Sequence, residues 1–371
     1  MIASDERLAR AALCHVPRPG DPRVHRLIAE WGAAETWERL QREPSLADAL
    51  GRVDPAADVA MFSSLGGRLV CPGDPEWPDS VSILSSCDGA PGDPREPYAL
   101  WVRGAGDLAQ LSAAGVAIVG SRASTDYGSY VASEMAGELA GAGWAVVSGG
   151  AFGIDAAAHR GALVVGGATI AVLACGADVA YPKAHDTLFA RILCAGCVVS
   201  EEPPGRGVRR ERFLSRNRLI AALTKATVLV EAGARSGALS TARHAQRMLR
   251  DVLAVPGPVT SAMSRGCHEQ LREGYARIVT SAADVIAELG PLAPTQPVLG
   301  PVTTRDRMSQ PARVVLDGFP AYDAVSPADV SFAAGVPIAQ VLGELDGLIA
   351  SGFVELCDGG FRLTRSAREG R

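Results

Sequence analysis

Between Val116 and Leu289, short β-branched and aliphatic runs alternate with helix-length segments, and several of the runs end in glycines. Runs at 116–119, 144–148, 168–173, 197–200, 226–231 and 251–255, with a weaker one at 277–279, read as strands. The stretches 128–141, 153–165, 185–195, 213–223 and 237–249 are long enough for helices between them. A strand that is apolar on both sides is stable only when both faces of its sheet are covered. The alternation therefore predicts an α/β fold, a Rossmann-like, doubly wound and mostly parallel sheet. Sheets of this kind take their ligands at the carboxyl ends of the strands.

Three of those ends carry the chemistry. They are Val119-Gly120-Ser121-Arg122, Ser148-Gly149-Gly150-Ala151-Phe152-Gly153-Ile154-Asp155 and Glu231-Ala232-Gly233-Ala234-Arg235-Ser236-Gly237. A glycine turn leading into a helix presents backbone N–H groups outward, which suits anions and above all phosphate. Arg122, Arg235 and the Arg216-Asn217-Arg218 run add cations, and Ser121 and Ser148 add hydroxyl donors. On a helix Arg216 and Arg218 diverge by about 200°. One is expected to face the groove while the other supports it or reaches a second phosphate. Solvated ion pairs with Glu201, Glu202 or Glu211 are the competing use of these arginines.

The rest of the chain is organised around this centre. Residues 1–65 read as an all-helical N-terminal domain of SAM- or helix-hairpin-helix-like type. The central domain spans 66–290, with a Pro- and Gly-rich lead-in that includes the strand-like Ala99-Leu100-Trp101-Val102. Residues 291–311, with five prolines, make a linker. Residues 312–371 read as a C-terminal winged-helix-like domain of three helices and a hairpin around Asp358-Gly359-Gly360.

Charge sharpens the division. The chain carries a net charge of −5, yet from Arg206 to Arg250 eleven Arg and Lys face only two acids, a local net of +9. Such a stripe on an acidic protein is the footprint of a polyanion site. The winged module is the opposite case. From Val314 to Phe361 it has no Lys, Arg or His, and its third helix carries Glu344 and Asp346. Duplex affinity depends on phosphate contacts, so that helix is not expected to enter a DNA groove. A protein-contact or packing role is expected instead.

Other chemistries find little support. Cys194 and Cys197 form a C-x-x-C pair with no second pair or histidines nearby, and read as small packed residues. Asp155 and His159 share a helix face but lack a third ligand, so a capping Asp and a packed His are expected rather than a metal site. No strict G-x-G-x-x-G follows the first strand, and neither a Walker lysine nor a Ser-His-Asp order appears. The start of the sequence is neither basic nor apolar, and no apolar run reaches bilayer length. A cytoplasmic protein without membrane contact is the expectation.

The motifs in their order carry a specific resemblance. Gly120-Ser121-Arg122 with Ser124, Tyr127 and Gly128, the Ser148 to Asp155 stretch followed by Ala158-His159, Tyr181-Pro182, and Ser200-Glu201 come first. Phe213-Leu214-Ser215-Arg216-Asn217-Arg218, Arg235-Ser236-Gly237-Ala238-Leu239 with Thr241, and Val255-Pro256-Gly257 follow. Together they resemble the DNA-processing protein A (DprA/Smf) family. The resemblance implies a single-stranded-DNA-binding protein of natural transformation and recombination that helps load the recombinase RecA, typically as a homodimer. It implies no enzyme activity, cofactor or metal. The phosphate-binding set it implies, together with the glycine turns, is Gly120, Ser121, Arg122, Tyr127, Gly128, Ser148, Gly149, Gly150, Lys183, Arg216, Asn217, Arg218, Arg235, Ser236 and Gly237. The chain departs from the family pattern at Ala184-His185, where an Asn is usual, and at Gly266-Cys267-His268. The alternative is a nucleotide-binding sensor or a phosphoribohydrolase-like enzyme on the same fold. Such enzymes carry a Pro-Gly-Gly-x-Gly-Thr motif and a catalytic Glu that the 231–241 stretch lacks.

Overall fold

A computed structural model describes residues 4–86, 95–290 and 308–368. The chain divides into two compact units, Met1–Thr295 and Gln296–Arg371.

The first unit opens with four helices, α1 (Ser4–Leu13), α2 (Pro22–Gln41), α3 (Ala47–Leu50) and α4 (Pro55–Ser64). Proline stands at the start of both α2 and α4, and Asp21 and Asp54 accept backbone N–H bonds as their caps. Strands β1 (Gly67–Val70) and β2 (Leu100–Arg103) flank the short helix α5 (Ile83–Ser86), and α6 (Leu108–Ala113) follows. Then come β3 (Gly115–Val119), α7 (Asp126–Gly141), β4 (Ala145–Ser148), α8 (Ile154–Val164), β5 (Thr169–Val172), α9 (Asp186–Ala195) and β6 (Cys197–Ser200). The unit closes with α10 (Arg210–Ala222), β7 (Ala226–Leu229), α11 (Ala238–Arg247), β8 (Asp251–Ala254), α12 (Arg265–Arg272), β9 (Arg277–Ile278) and α13 (Ala282–Leu289).

These strands form one nine-stranded sheet in the order β1-β2-β6-β5-β4-β3-β7-β8-β9. Pairing is parallel from β6 to β9, while β1–β2 and β2–β6 are antiparallel. The doubly wound, mostly parallel sheet expected from the sequence is thus present, with an antiparallel edge that the sequence only hinted at. The seven expected strands match β3 to β9. β1 was not foreseen, because Gly67-Arg68-Leu69-Val70 is a short edge strand with only two buried residues.

Strand alternation sorts the core. Ala117, Val119, Val147, Val172, Leu229 and Val252 face α10 and α11 on one side. Val116, Ile118, Val146, Val228 and Leu253 face α7, α8 and α13 on the other. At the β2–β6–β5 end, Trp101, Ala171 and Val198 share a core with Leu13, Leu40 and Phe62 of the N-terminal helices. Phe62 meets the Trp101 ring edge-on at 5.2 Å between centroids. The helical segment 1–65 is therefore packed into the same body as the sheet. Among the described residues no single helix is long and apolar enough to cross a membrane.

The second unit holds α14 (Gln310–Asp317), α15 (Pro327–Ala334), α16 (Ile338–Ala350), a hairpin of β10 (Val354–Cys357) and β11 (Gly360–Leu363), and α17 (Arg365–Arg368). Ser326 and Asp329 form a reciprocal capping box at the start of α15. Of the expected linker, 291–307 lies outside the described residues. Its last two residues, Gln310 and Pro311, are already helical behind the cap Ser309.

Past the carboxyl end of β6 sits the most buried ion pair among the described residues. Arg218, 1 % exposed, donates to both oxygens of Glu201 at 2.7 and 2.6 Å and also to the Arg95 and Ser215 carbonyls. It ties α10 to β6. Removing one partner leaves an uncompensated buried charge, so Glu201→Ala is expected to cost about 3–5 kcal/mol, read as a lower urea midpoint at unchanged slope.

Next to it, burial and then the Glu201 carboxylate push Glu202 up from 4.5 to about 7, against the pull of Arg212 and Arg206 at 3.2 and 3.8 Å. The folded state holds this proton more tightly than the unfolded one. Its stabilising contribution is complete below the ordinary value of 4.5 and is lost as pH rises through about 7. Melting temperatures taken from about pH 5 to about pH 8 should fall less in Glu202→Gln than in the unaltered protein.

Candidate functional site

The strand order reverses between β3 and β7, which lie side by side although β4, β5 and β6 intervene in sequence. The turns leaving their carboxyl ends, 120–125 and 230–237, face one another across this switch point. Glu231 fastens them together. Its carbonyl accepts the Ser121 N–H at 2.7 Å, and its buried carboxylate accepts the Thr125 N–H at 2.9 Å and the Thr125 hydroxyl at 2.6 Å. This places an anion at the start of α7, where the helix dipole favours one. Gly128 allows it, since a Cβ there would lie 2.3 Å from the Glu231 carboxylate. Gly120 is equally constrained, with Ile154 and the Glu231 carbonyl both within 2.7 Å of where its Cβ would stand.

The turn after β4 is closed upon itself. Its Gly149 and Ala151 N–H groups donate to the buried Asp155 carboxylate at 3.1 and 3.3 Å. The Ser148 hydroxyl is buried and donates to the Ile118 carbonyl at 2.7 Å. Arg216 donates through Nη1 to the carbonyls of Gly149, at 2.9 Å, and Val172. Burial pushes its guanidinium down to about 10, opposed by the attraction of Asp155, so it stays charged at neutral pH. Gly150 sits at φ +68° against the Phe189 ring. His185, one of the departures from the family pattern, donates from Nδ1 to the Gly150 carbonyl at 3.0 Å and packs edge-on against Phe152. The other, His268, bonds the Gly257 carbonyl at 3.0 Å. His159 is buried on Thr169, and burial holds it down at about 3, a packed neutral histidine as expected.

Between the β3 and β7 turns and the first half of α10 lies a cleft of about 920 Å³. Gly120, Ser121, Arg122, Arg216, Asn217, Arg235, Ser236 and Gly237 all line it, so eight of the fifteen expected residues are brought together. The other seven stand elsewhere. Ser148, Gly149 and Gly150 build the β4 turn and are not among the cleft-lining residues, and the Gly149 and Ala151 N–H groups are given to Asp155. Gly128 packs on Glu231, and the Tyr127 hydroxyl donates to the Pro256 carbonyl at 2.7 Å. Arg218 is spent on Glu201, which makes it the supporting member of the Arg216/Arg218 pair. Lys183, largely exposed, is paired with Asp186 at 2.6 Å outside the cleft.

Sequence reasoning missed several lining residues. Arg209 and Arg210 stand exposed at the cleft beside Arg122 and Arg235. They were visible only as part of the +9 stretch, without a glycine turn to single them out. Phe213 and Tyr181 form an aromatic pair on the same wall, 5.8 Å between centroids, and the Tyr181–Pro182 peptide is cis. The Arg122 guanidinium lies over the Phe213 ring at 4.6 Å. Among the described residues, Asp155 is the one acid lining the cleft.

Residues 68–290 match the family described as DNA recombination-mediator protein A. The chain is 41% identical over 370 residues to the putative DNA processing protein DprA of Mycobacterium tuberculosis, covering 96% of this chain and 94% of that one. It is 39% identical over 269 residues to DNA processing protein DprA of Streptococcus pneumoniae, covering 70% and 91%. The solved structure of DNA processing protein A from S. pneumoniae superposes with a TM-score of 0.63 at 30% identity, over 78% of this chain and 99% of that one. That of Helicobacter pylori, described for its single-stranded DNA binding mode, superposes at 0.52 and 30% identity, over 60% and 95%. This chain belongs to the DNA recombination-mediator protein A (DprA/Smf) family.

Proposed function

We propose that the cleft between the β3 and β7 turns holds the phosphate backbone of single-stranded DNA. One observation carries the reading. Arg122, Arg209, Arg210 and Arg235 stand exposed around the cleft, and none has an acidic partner among the described residues. They are gathered on one cleft, whereas Arg218 is paired with Glu201 and Lys183 with Asp186. Four guanidiniums without acidic partners around one cleft, on a chain of net charge −5, support a polyanion site over a solvated face.

Phe213 and Tyr181 supply a short stacking surface that any base can use, which suits sequence-tolerant binding of an unpaired strand. The described binding mode of the H. pylori relative supports the same ligand. On this reading the chain acts without a covalent step, RecA receives the strand, and a second copy of the chain raises affinity by presenting a second cleft.

Fluorescence anisotropy of labelled single- and double-stranded oligonucleotides at two salt concentrations tests the assignment. Single strands should bind preferentially and lose affinity steeply with salt. Arg122→Ala should weaken binding about tenfold, alike for different sequences. It should also shallow the salt slope by about 0.7, the value of one phosphate contact on a single strand. Lys183→Ala, outside the cleft, should leave affinity within about twofold. Unchanged binding by Arg122→Ala would sink the site assignment. Tight capture of a free nucleoside monophosphate, or release of its base, would favour the nucleotide-sensor or phosphoribohydrolase-like reading instead.

A further inference from the structure

In the second unit, α15 and α16 stand where a winged helix would present its recognition surface, yet the surface has the wrong chemistry for a groove. Val341, Leu345 and Leu348 turn one side of α16 into the unit's core. Ile338, Leu342 and Ile349 follow at helical spacing on an adjoining stripe and are 47 %, 52 % and 38 % exposed. Phe332, on α15, is 92 % exposed. Further round α16 the outward positions are Ala339, Gly343, Asp346, Gly347 and Ala350. A Cβ built at Gly343 or Gly347 would meet nothing within 4 Å, so another backbone can approach closely there. The result is an unpartnered helix face, aliphatic along one edge and smooth along the other.

Charge narrows what can cover it. From Val314 to Phe361 there are seven acids and no Lys, Arg or His. Asp323, Asp329 and Asp346 are exposed, and Glu344 is half-buried on α16 itself. Duplex or single-stranded nucleic acid would meet repulsion with no phosphate contact. An anionic membrane surface calls for cations on an apolar helix, and neither α15 nor α16 carries one. A second copy of the same face would bring like charges together.

We propose that the α15–α16 face of the winged-helix-like unit is a protein-docking surface for a basic amphipathic helix. Aliphatic side chains of the partner seat on Ile338, Leu342, Ile349 and Phe332, while its Lys and Arg side chains answer the acids around them. This is the helix-in-groove mode of recognition, read through anchors at helical spacing. It assigns the unit to protein contact, separately from the cleft of the first unit.

The test uses the full chain and two labelled helical peptides of the same amphipathic leucine pattern. One carries lysine at its polar positions and the other glutamate. The lysine peptide should bind, weaken as salt rises, and outcompete the glutamate peptide. Leu342→Glu replaces an exposed side chain, so the fold is kept, checked by an unchanged circular dichroism spectrum. It should lower lysine-peptide affinity by roughly tenfold or more, as expected for an interface anchor. Asp346→Lys should weaken the same peptide. Oligonucleotide affinity should be the same in both variants.

Three results would overturn the proposal. One is failure of the lysine peptide to bind, or binding indifferent to Leu342→Glu. Another is a change in sedimentation on Leu342→Glu without peptide, which would make the face a contact between copies or with the chain's own remainder. The last is loss of oligonucleotide binding in Leu342→Glu, which would return the face to nucleic acid.

Discussion

Glu231 is the residue on which the arrangement of the first unit's cleft depends. Its main chain receives Ser121 and its carboxylate receives Thr125 twice, so two turns from distant parts of the sequence are held as one. The clamp is buried, where hydrogen bonds to a carboxylate are strong and an unpaired one would be costly. It explains two glycines at once. Gly120 lets the β3 turn reach the Glu231 carbonyl, and Gly128 lets α7 settle onto the carboxylate. With the turn held this way, Arg122 is carried to the cleft without needing an acid of its own to orient it. Its ring neighbour Phe213 does that instead.

The two glycine-rich turns that looked alike in the sequence have different fates, and the difference lies in a single carboxylate. After β4, Asp155 reaches back across one helical turn and takes the Gly149 and Ala151 amides. After β3, the corresponding acid comes from another strand and takes Thr125 further along, leaving the intervening residues at the cleft. Glycine spacing reports that a backbone can approach something closely. It does not report whether that something is a ligand or the protein itself.

Much of the fold was legible because strand burial is written in local composition. Runs such as Ala226-Thr227-Val228-Leu229 have only one stable use in a soluble sheet, and β3 to β9 fell where they were expected. The site was legible in part. Arg122, Arg235, Ser236 and Gly237 could be found because they adjoin glycine turns. Arg209 and Arg210 could not, since their place at the cleft depends on where α10 begins relative to the β3 and β7 turns. Nor could the sequence tell Arg216 from Arg218 by role. That assignment comes from Glu201, which captures one of them, and from the carbonyls of Gly149 and Val172, which engage the other.

The shared core at the β2 end of the sheet has a consequence for how the chain can vary. The family match begins at residue 68, whereas the packed body begins at α1. Trp101 and Ala171 belong to the matched region, but their cover is Leu13, Leu40 and Phe62, which lie before it. The region that defines the family and the body that packs as one therefore have different boundaries. A chimera that exchanged the first 65 residues would have to carry a matching mate for the Trp101 ring. Drift in α1, α2 and α4 is limited by an indole three dozen or more residues downstream of them.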